Sequence, residues 1–189
     1  GSLATMPENI SFELAASITE GAHYALCDIR AAKTKKGDTV LINGATGAIG
    51  SAAVQIIKHL GAEVVAVCDT KNVDLVKSLG ADVVIAVDIL AQPIHTETSN
   101  VWGLFNQNIN IMQGRLAEEE LKNADIVIQP DLREKAHIFD IKGREMTMQA
   151  GIDAAKEKLA NIQWVIKSKT KQVDLNQQDL ALKLSSLEP

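Results

Sequence analysis

Short apolar runs alternate with amphipathic stretches along most of the chain. Four runs rich in Val, Ile and Ala predict buried strands; they occupy residues 37–44, 62–69, 82–89 and 124–130. Apolar positions at helical spacing predict five helices; these occupy residues 11–33, 47–61, 73–81, 101–123 and 144–162. Continuous apolar strands separated by helices are typical of a parallel sheet that is covered on both faces.

This alternation predicts an architecture for the whole chain. We expect a single α/β domain over residues 1–189, with a Rossmann-like doubly wound parallel sheet of four to five strands in a three-layer αβα arrangement. We also expect right-handed crossovers and the strand order 3-2-1-4, in which residues 90–123 carry the chain to the far side of the first strand. Residues 161–189 form a weakly patterned tail. Within it, 163–168 could add an edge strand, and 175–188 could form a final helix or a frayed end.

The composition narrows the classes of function. Hydrophobic residues make up 46% of the sequence and charged residues 23%, as in ordinary soluble globular proteins. Aromatic residues make up only 3%, so the core must be aliphatic. The net charge of −5 comes without the basic face that nucleic acid requires. Apolar stretches are too short for a membrane span and the N-terminus has no signal pattern, so we expect a cytoplasmic protein without membrane or nucleic-acid partners.

The two cysteines do not suggest a metal site. Cys27 and Cys68 lie far apart in the sequence, and neither has neighbours at metal-ligand spacing. Free thiols in a reducing cytosol are the simpler interpretation, and the sequence predicts no metal.

The most distinctive stretch is a glycine-rich turn, INGATGAIGSAAVQ at residues 42–55, between a predicted strand and a predicted helix. Gly44 permits a tight turn, Gly47 lets the backbone approach a phosphate, and Gly50 lets the helix pack on the strand. The helix N-terminus adds unpaired N–H groups and a partial positive charge. Asp69 ends the next strand, at about the 20-residue spacing expected for an acid that binds a ribose hydroxyl. The pattern predicts a cradle for a dinucleotide, with a purely architectural turn as the alternative.

The same residues carry a resemblance to a known family. The segments KKGDTVLINGATGAIGSAAVQIIKHLGAEVVAVCDT and KSLGAD resemble the nucleotide-binding domain of quinone oxidoreductases, the zinc-free branch of the medium-chain dehydrogenase/reductases, over about residues 3–85. The resemblance implies that a pyrophosphate is lined by Gly44, Ala45, Thr46, Gly47, Ala48, Ile49 and Gly50. It implies that the adenosine ribose is surrounded by Asp69, Thr70, Lys71 and Asn72. Many relatives have Ser in place of Asp69; because a carboxylate repels a 2′-phosphate, NAD is favoured over NADP, although Lys71 acts in the opposite direction.

A second resemblance covers the later part of the chain. The segments GADVVIAVDI, ADIVIQPDL and GIDAAKEKL resemble the closing segment of bacterial patatin-like phospholipases over about residues 78–160. Because LGADVVI at 79–85 fits both families, one interpretation is a recombinant chimera joined there, with a reductase-like half at 3–85 and a patatin-like half at 86–160. The alternative is a natural chain whose second half only looks foreign. The sequence has no Gly-x-Ser-x-Gly or Asp-Gly motif, and Ser51 at a helix start is expected to be a cap or a satisfied polar group, so hydrolase activity is not expected.

Three hypotheses about function follow. The first is an NAD(P)-binding module without its own catalytic domain, which in quinone oxidoreductases precedes this segment. The second is a structural or engineered chimera that binds nothing, and the third is a residual NAD(P)H-dependent reductase of the quinone oxidoreductase type. We expect no complete active site and no catalytic residue. Asp88, Asp125 and Asp131 begin or end strands near the expected carboxyl edge of the sheet, where a pair of carboxylates could do acid–base work. Such carboxylates more often cap helices or face solvent. An exposed sheet edge would allow pairing with a second copy.

Overall fold

The computed structural model describes residues 5–89, 101–132 and 144–185. Residues 90–100, the first part of the predicted crossover segment 90–123, lie outside these ranges. The described elements follow one another as α1 (Phe12–Ala31), β1 (Thr39–Asn43), α2 (Ala48–His59), β2 (Glu63–Asp69), the 3₁₀ turn Thr70–Asn72, α3 (Val73–Ser78), β3 (Val83–Val87), α4 (Val101–Leu121), β4 (Ile126–Ile128) and α5 (Arg144–Ser185). Each of the four strands and five helices predicted from the apolar pattern is present. Within the described ranges, no helix is both long and apolar enough to cross a membrane.

Local signals set the ends of the first two helices. Ser11 precedes α1 in an extended conformation, and its side chain accepts a hydrogen bond from the N–H of Leu14 at 3.3 Å. Serine is among the residues that favour this N-cap position. After α2, Gly61 has a φ of +76°, in the left-handed region that favours glycine, and its N–H donates to the carbonyl of Lys58. The chain therefore turns from α2 into β2 at this glycine.

The four described strands form one parallel sheet in the order β1-β2-β3-β4. Each strand pairs with the next one along the chain, through a helix that crosses one face of the sheet. That face is buried beneath α1, α2, α3 and α4. Its core is aliphatic and includes Ile42, Val54, Ile57, Val64, Val76 and Val84.

Helix α5 covers the opposite face. Val165 is buried there, and Ile162 and Ile166 pack beside it. The strand residues of this second core are Val65, Val83, Ile85, Ile126 and Ile128. Helices therefore lie on both faces of a parallel sheet, which confirms the predicted three-layer α/β fold.

The strand order differs from the predicted order 3-2-1-4. β4 pairs with β3, with Ile126 opposite Ile85, and not with β1. The reason is the position of α4, which packs beside α3 and the 3₁₀ turn on the face that α2 and α3 already cover. A right-handed crossover on that face continues in the same direction instead of reversing. β1 is therefore an edge strand of the described sheet, and the predicted position of the fourth strand beside it is wrong.

The C-terminal tail, predicted at 161–189, does not contain the predicted edge strand. Helix α5 runs without interruption from Arg144 to Ser185, so the edge strand predicted at 163–168 is wrong and the helical alternative for the described part of 175–188 is correct. The apolar residues Ile162, Val165 and Ile166 share one face of this helix and pack on the sheet. Their spacing is that of a helix whose one side is buried.

Candidate functional site

The glycine-rich turn follows the carboxyl end of β1 and leads directly into α2. The N–H groups of Gly44 and Ala45 both donate to the carbonyl of Val67 on β2, at 3.2 and 3.1 Å. Gly44 has a φ of +74°, and a Cβ added there would meet no atom within 4 Å. Gly44 is therefore required for its backbone conformation, as a tight turn demands.

The next two glycines of the turn have different surroundings. Gly47 has an ordinary extended backbone, with φ −71° and ψ 167°, and an added Cβ would lie 3.6 Å from the carbonyl oxygen of Gly44. At Gly50, by contrast, an added Cβ would overlap that same oxygen and lie 2.9 Å from the Cα of Ala45. Gly50 is thus required for packing of α2 on the turn, whereas neither backbone conformation nor protein packing requires glycine at 47.

The N-terminus of α2 has the electrostatic character of an anion site. Gly47 is its N-cap and supplies no side-chain hydrogen bond, and the first turn contains no acidic residue. The first N–H groups of a helix have no partner within the helix, and they carry a partial positive charge. Ser51 does not change this, because its Oγ donates back to the carbonyl of Ala48 at 3.4 Å. It is a satisfied helix residue, as expected.

The predicted ribose-binding residues follow β2 on the same edge of the sheet as the glycine turn. Asp69 is exposed, and its Oδ1 accepts a hydrogen bond from Nδ2 of Asn72 at 2.5 Å. Lys71 is exposed between them. Thr70 differs from the expectation, because its side chain is buried and its Oγ1 donates inward to Asp88 at 3.4 Å. Asp69 and Lys71 are therefore exposed and Asn72 is half-buried, whereas Thr70 is buried.

A groove of about 650 Å³ lies between α1 and the outer edge of β1, and the glycine turn closes one end of it. Its lining is mostly aliphatic and includes Ala25, Ile29, Val40, Leu41 and Ile57. Asp28, Thr34 and Asn43 supply polar groups. The sequence did not predict this groove, because it depends on β1 being an edge strand. The visible sign is Leu41, which is 59% exposed in a strand predicted to be buried.

The carboxylates near the strand ends lie at two different edges of the sheet. Asp88 directly follows β3 at the carboxyl edge, whereas Asp125 precedes β4 at the amino edge. Oδ2 of Asp125 accepts from the N–H of Val84 at 2.8 Å, and its Oδ1 accepts from Nζ of Lys169 at 2.7 Å. Asp125 is thus a structural link between two strands and α5, and it does not lie beside Asp88.

The two cysteine thiols lie in different parts of the fold. Cys27 is exposed on α1, while Cys68 is buried in β2. Burial, with the negative charge of Asp69 next to it, raises the pKa of the Cys68 thiol to about 11. The described residues bring together no group of three or more His, Cys, Asp or Glu side chains that could hold a metal ion.

Comparison with known proteins identifies the family. Residues 48–183, more than half of the chain, match the zinc-binding dehydrogenase family. A parallel α/β domain with a glycine turn at the carboxyl edge of β1 agrees with that match, and the chain belongs to this family. Zinc is part of the family's description, and the described residues offer no donor set that fits it.

Individual relatives are similar over parts of the chain. The highly reducing polyketide synthase 40 of Fusarium pseudograminearum is 40% identical over 72 residues, which cover 36% of this chain and 3% of that synthase. The quinone oxidoreductase of Thermus thermophilus, solved alone and with NADPH, is 20% identical over 64% of this chain and 55% of its own, with a TM-score of 0.42. A thermostable alcohol dehydrogenase from Pyrobaculum aerophilum is 31% identical over 44% of this chain and 30% of its own, with a TM-score of 0.38. The chain thus matches only a part of each of these proteins.

The family match bears on the predicted division of the chain. It runs through 86–160, the stretch that resembles patatin-like phospholipases, and it covers the predicted junction at 79–85. One family description thus spans both sides of that junction. The patatin-like half and the junction remain predictions.

Proposed function

We propose that this chain is an NAD(P)-binding domain whose pyrophosphate site is the glycine turn. The observation that carries the proposal is Gly47. Neither its φ of −71° nor its protein contacts require glycine, yet it caps a helix whose first N–H groups have no side-chain partner. A bare backbone at the positive end of a helix is what close approach of a phosphate requires. Membership of a dehydrogenase family supports the same function.

The surroundings of the turn fit the two halves of a dinucleotide. Asp69 lies on the β2 side of the turn, and the groove lies on the other side, along the outer edge of β1. A ligand with its pyrophosphate on the turn would therefore place the adenosine ribose near Asp69 and its second nucleoside at the mouth of the groove. The groove volume of about 650 Å³ is within the range of ligand pockets.

The choice between NAD and NADP is a finer part of the proposal. The exposed carboxylate of Asp69 can accept a hydrogen bond from a free 2′-hydroxyl, since its contact with Asn72 occupies only part of its acceptor capacity. The same charge repels a 2′-phosphate, while exposed Lys71 would attract one. We propose that NAD binds more tightly than NADP, and that Asp69→Ser narrows or reverses the difference. Equal dissociation constants of the unmodified chain for NAD and NADP would contradict the assignment.

The experiment that tests the proposed function is thermal unfolding with and without NAD, NADH, NADP and NADPH. A ligand at about 100 times its dissociation constant adds about 2.7 kcal/mol of stability, which raises the Tm of a domain of this size by several degrees. ATP at the same concentration is the control for unspecific binding of phosphate groups. Absence of any shift with all four dinucleotides would refute the proposal.

A residual reductase activity is a second candidate, favoured by the groove that opens beside the turn. A hydride acceptor could enter there if the nicotinamide lies at its mouth. The test is oxidation of NADH or NADPH with a small quinone as acceptor. Cofactor binding without oxidation would leave the chain a binding module, which is our preferred interpretation.

Three other expectations are kept as proposals: a chimeric origin, pairing with a second copy and a cytoplasmic location. The chain would be a chimera if natural relatives keep 3–85 and 86–160 in separate proteins, and a natural sequence that carries both segments would contradict this. Pairing with a second copy is proposed at the edge strand β1. A cytoplasmic location is kept as a prediction, which fractionation of cells that express the protein would test.

A further inference from the structure

A buried carboxylate joins the carboxyl ends of three neighbouring strands. Asp88 directly follows β3 and is 6% exposed. Its Oδ1 accepts from Oγ1 of Thr70, the first residue after β2, at 3.4 Å. Its Oδ2 accepts from Nε2 of Gln129, the first residue after β4, at 2.9 Å, and its backbone N–H donates to the carbonyl of Ile128 at 2.9 Å.

One of these links reaches the proposed ribose site. Thr70 is 4% exposed and begins the 3₁₀ turn immediately after Asp69. The turn is therefore held from inside by the contact between Thr70 and Asp88, and from outside by the contact between Asn72 and Asp69. The residue next to Asp69 in the sequence is thus anchored by its side chain to a different strand.

A buried carboxylate is costly unless hydrogen bonds satisfy it. Two carboxylates at the amino edge of the sheet are each satisfied by a lysine side chain and a strand N–H. Asp82 accepts from Nζ of Lys58 and the N–H of Val64, and Asp125 accepts from Nζ of Lys169 and the N–H of Val84. Asp88 instead accepts from the side chains of two residues that begin loops at the carboxyl edge, where ligands bind in open α/β sheets.

We propose that Asp88 is a positioning residue for cofactor recognition: through Thr70 it holds the turn that presents Asp69 to the adenosine ribose. Asp88 itself touches no cofactor. This inference rests on the proposed dinucleotide function and deepens it. Binding geometry must be held to about 0.5 Å by supporting side chains, so loss of the inner anchor should affect discrimination at the ribose more than it affects the fold.

The decisive variant is Thr70→Val, which keeps the shape of the side chain and removes the hydroxyl that reaches Asp88. Asp88→Asn tests the other partner, and Asp125→Asn is the matched control, because it removes a comparable strand-linking carboxylate at the opposite edge. The dissociation constants for NAD and NADP are measured for each protein, together with the free energy of unfolding in denaturant. We expect Thr70→Val and Asp88→Asn to weaken NAD binding about three- to tenfold and to reduce the NAD-to-NADP preference. Asp125→Asn should lower stability and leave both dissociation constants unchanged.

A double variant separates positioning from general loosening. If Thr70 acts through Asp69, adding Thr70→Val to Asp69→Ser should cause no further change in the NAD-to-NADP ratio. An unchanged ratio in a folded Thr70→Val protein would overturn the inference while leaving dinucleotide binding intact. Additive effects of the two substitutions on that ratio would overturn it as well. If the unmodified chain binds neither NAD nor NADP, the proposed function fails, and this inference fails with it.

Discussion

Gly47 and Gly50 lie one helical turn apart, yet a side chain would meet different surroundings at each. At Gly50 it would collide with the backbone of Gly44 and Ala45, whereas at Gly47 it would make one ordinary contact. A substitution at Gly50 therefore tests architecture, and a substitution at Gly47 tests function. Variants at these two positions therefore allow loss of ligand binding to be distinguished from loss of stability.

We predict that Gly47→Val abolishes dinucleotide binding and leaves the fold intact. The valine side chain would occupy the space into which a phosphate must move, while the backbone at Gly47 is already in a conformation that any residue adopts. Loss of the glycine cap should cost about 1 kcal/mol at most. Calorimetric titration with NAD measures binding, and denaturant unfolding without ligand measures stability.

Gly50→Ala is the control for that experiment, because its Cβ would force α2 away from the turn. It should lower stability by more than Gly47→Val does. If Gly47→Val binds NAD normally, the glycine at 47 has no ligand-related purpose and the phosphate cradle is wrong. If Gly47→Val unfolds, the turn is architectural.

Cys68 gives a prediction about pH. Its pKa in the folded protein is raised to about 11, chiefly by burial, while an unfolded thiol has a pKa of about 8.5. Above the lower value the unfolded chain loses this proton and the folded chain retains it, so stability falls as pH rises through this window. Replacing Cys68 by Ala should make the fall in unfolding free energy between about pH 8.5 and 11 shallower. Identical slopes for both proteins would show that the thiol does not contribute.

Residue-level features were predictable where they depend on neighbours in the sequence. The cap at Ser11 follows from a serine immediately before a helical pattern, and the positive φ of Gly61 follows from a glycine at the end of one. The inward orientation of Thr70 could not be predicted in this way. Its partner Asp88 lies on another strand, and only the register between β2 and β3, with Asp69 opposite Val87, brings the two together.

At the scale of elements, the amino edge of the sheet is held by charged groups. Asp82 precedes β3, and its carboxylate accepts from Nζ of Lys58 at 2.7 and 2.8 Å and from the N–H of Val64 at 2.7 Å. These contacts join α2, β2 and β3. Since both side chains are partly buried, with exposures of 33% and 22%, the pair is worth more than a surface ion pair.

We predict that Asp82→Asn lowers the free energy of unfolding by about 1–3 kcal/mol, because it weakens a charge-assisted hydrogen bond to a strand N–H and unpairs Lys58. Glu119→Gln is the control, since it breaks an exposed ion pair with Lys122 and should change stability by less than about 0.5 kcal/mol. Urea unfolding of the three proteins measures both effects. Equal stabilities of the two variants would mean that Asp82 does not anchor the strands.

The elements themselves were predictable from periodicity, but their order was not. Right-handed crossovers permit β4 beside β1 or beside β3, and the choice depends on the face on which α4 packs. That face is not encoded in the pattern of α4, which exposes apolar residues such as Trp102 and Phe105 as well as burying Ala117. The short apolar run at 163–168 was equally ambiguous between strand and helix, and its continuity with α5 decides for a helix.

At the scale of the molecule, the strand order leaves β1 at the edge of the sheet that the described residues form. The N–H of Glu63 donates to the carbonyl of Asp38, and the N–H of Gly44 donates to the carbonyl of Val67. The backbone N–H and C=O groups of the even-numbered residues of β1 therefore point toward β2. In a parallel ladder the intervening residues face the other way. The outward positions are therefore 39, 41 and 43. The strand TVLIN has no charge, proline or bulge to block pairing.

The hypothesis that two copies pair at this edge makes a prediction about association. A two-fold axis would pair the strands antiparallel, with Leu41 opposite its own copy and Thr39 opposite Asn43, so no like charges meet. Leu41→Lys would place two positive charges opposite each other, and it should shift the protein toward monomer without loss of stability, since the side chain is 59% exposed. Leu159→Lys is the control, because Leu159 is 52% exposed on α5, away from β1. Sedimentation velocity over a dilution series measures the monomer–dimer equilibrium of all three proteins. A monomer at every concentration, or equal association of the two lysine variants, would show that the edge of β1 does not pair with a second copy.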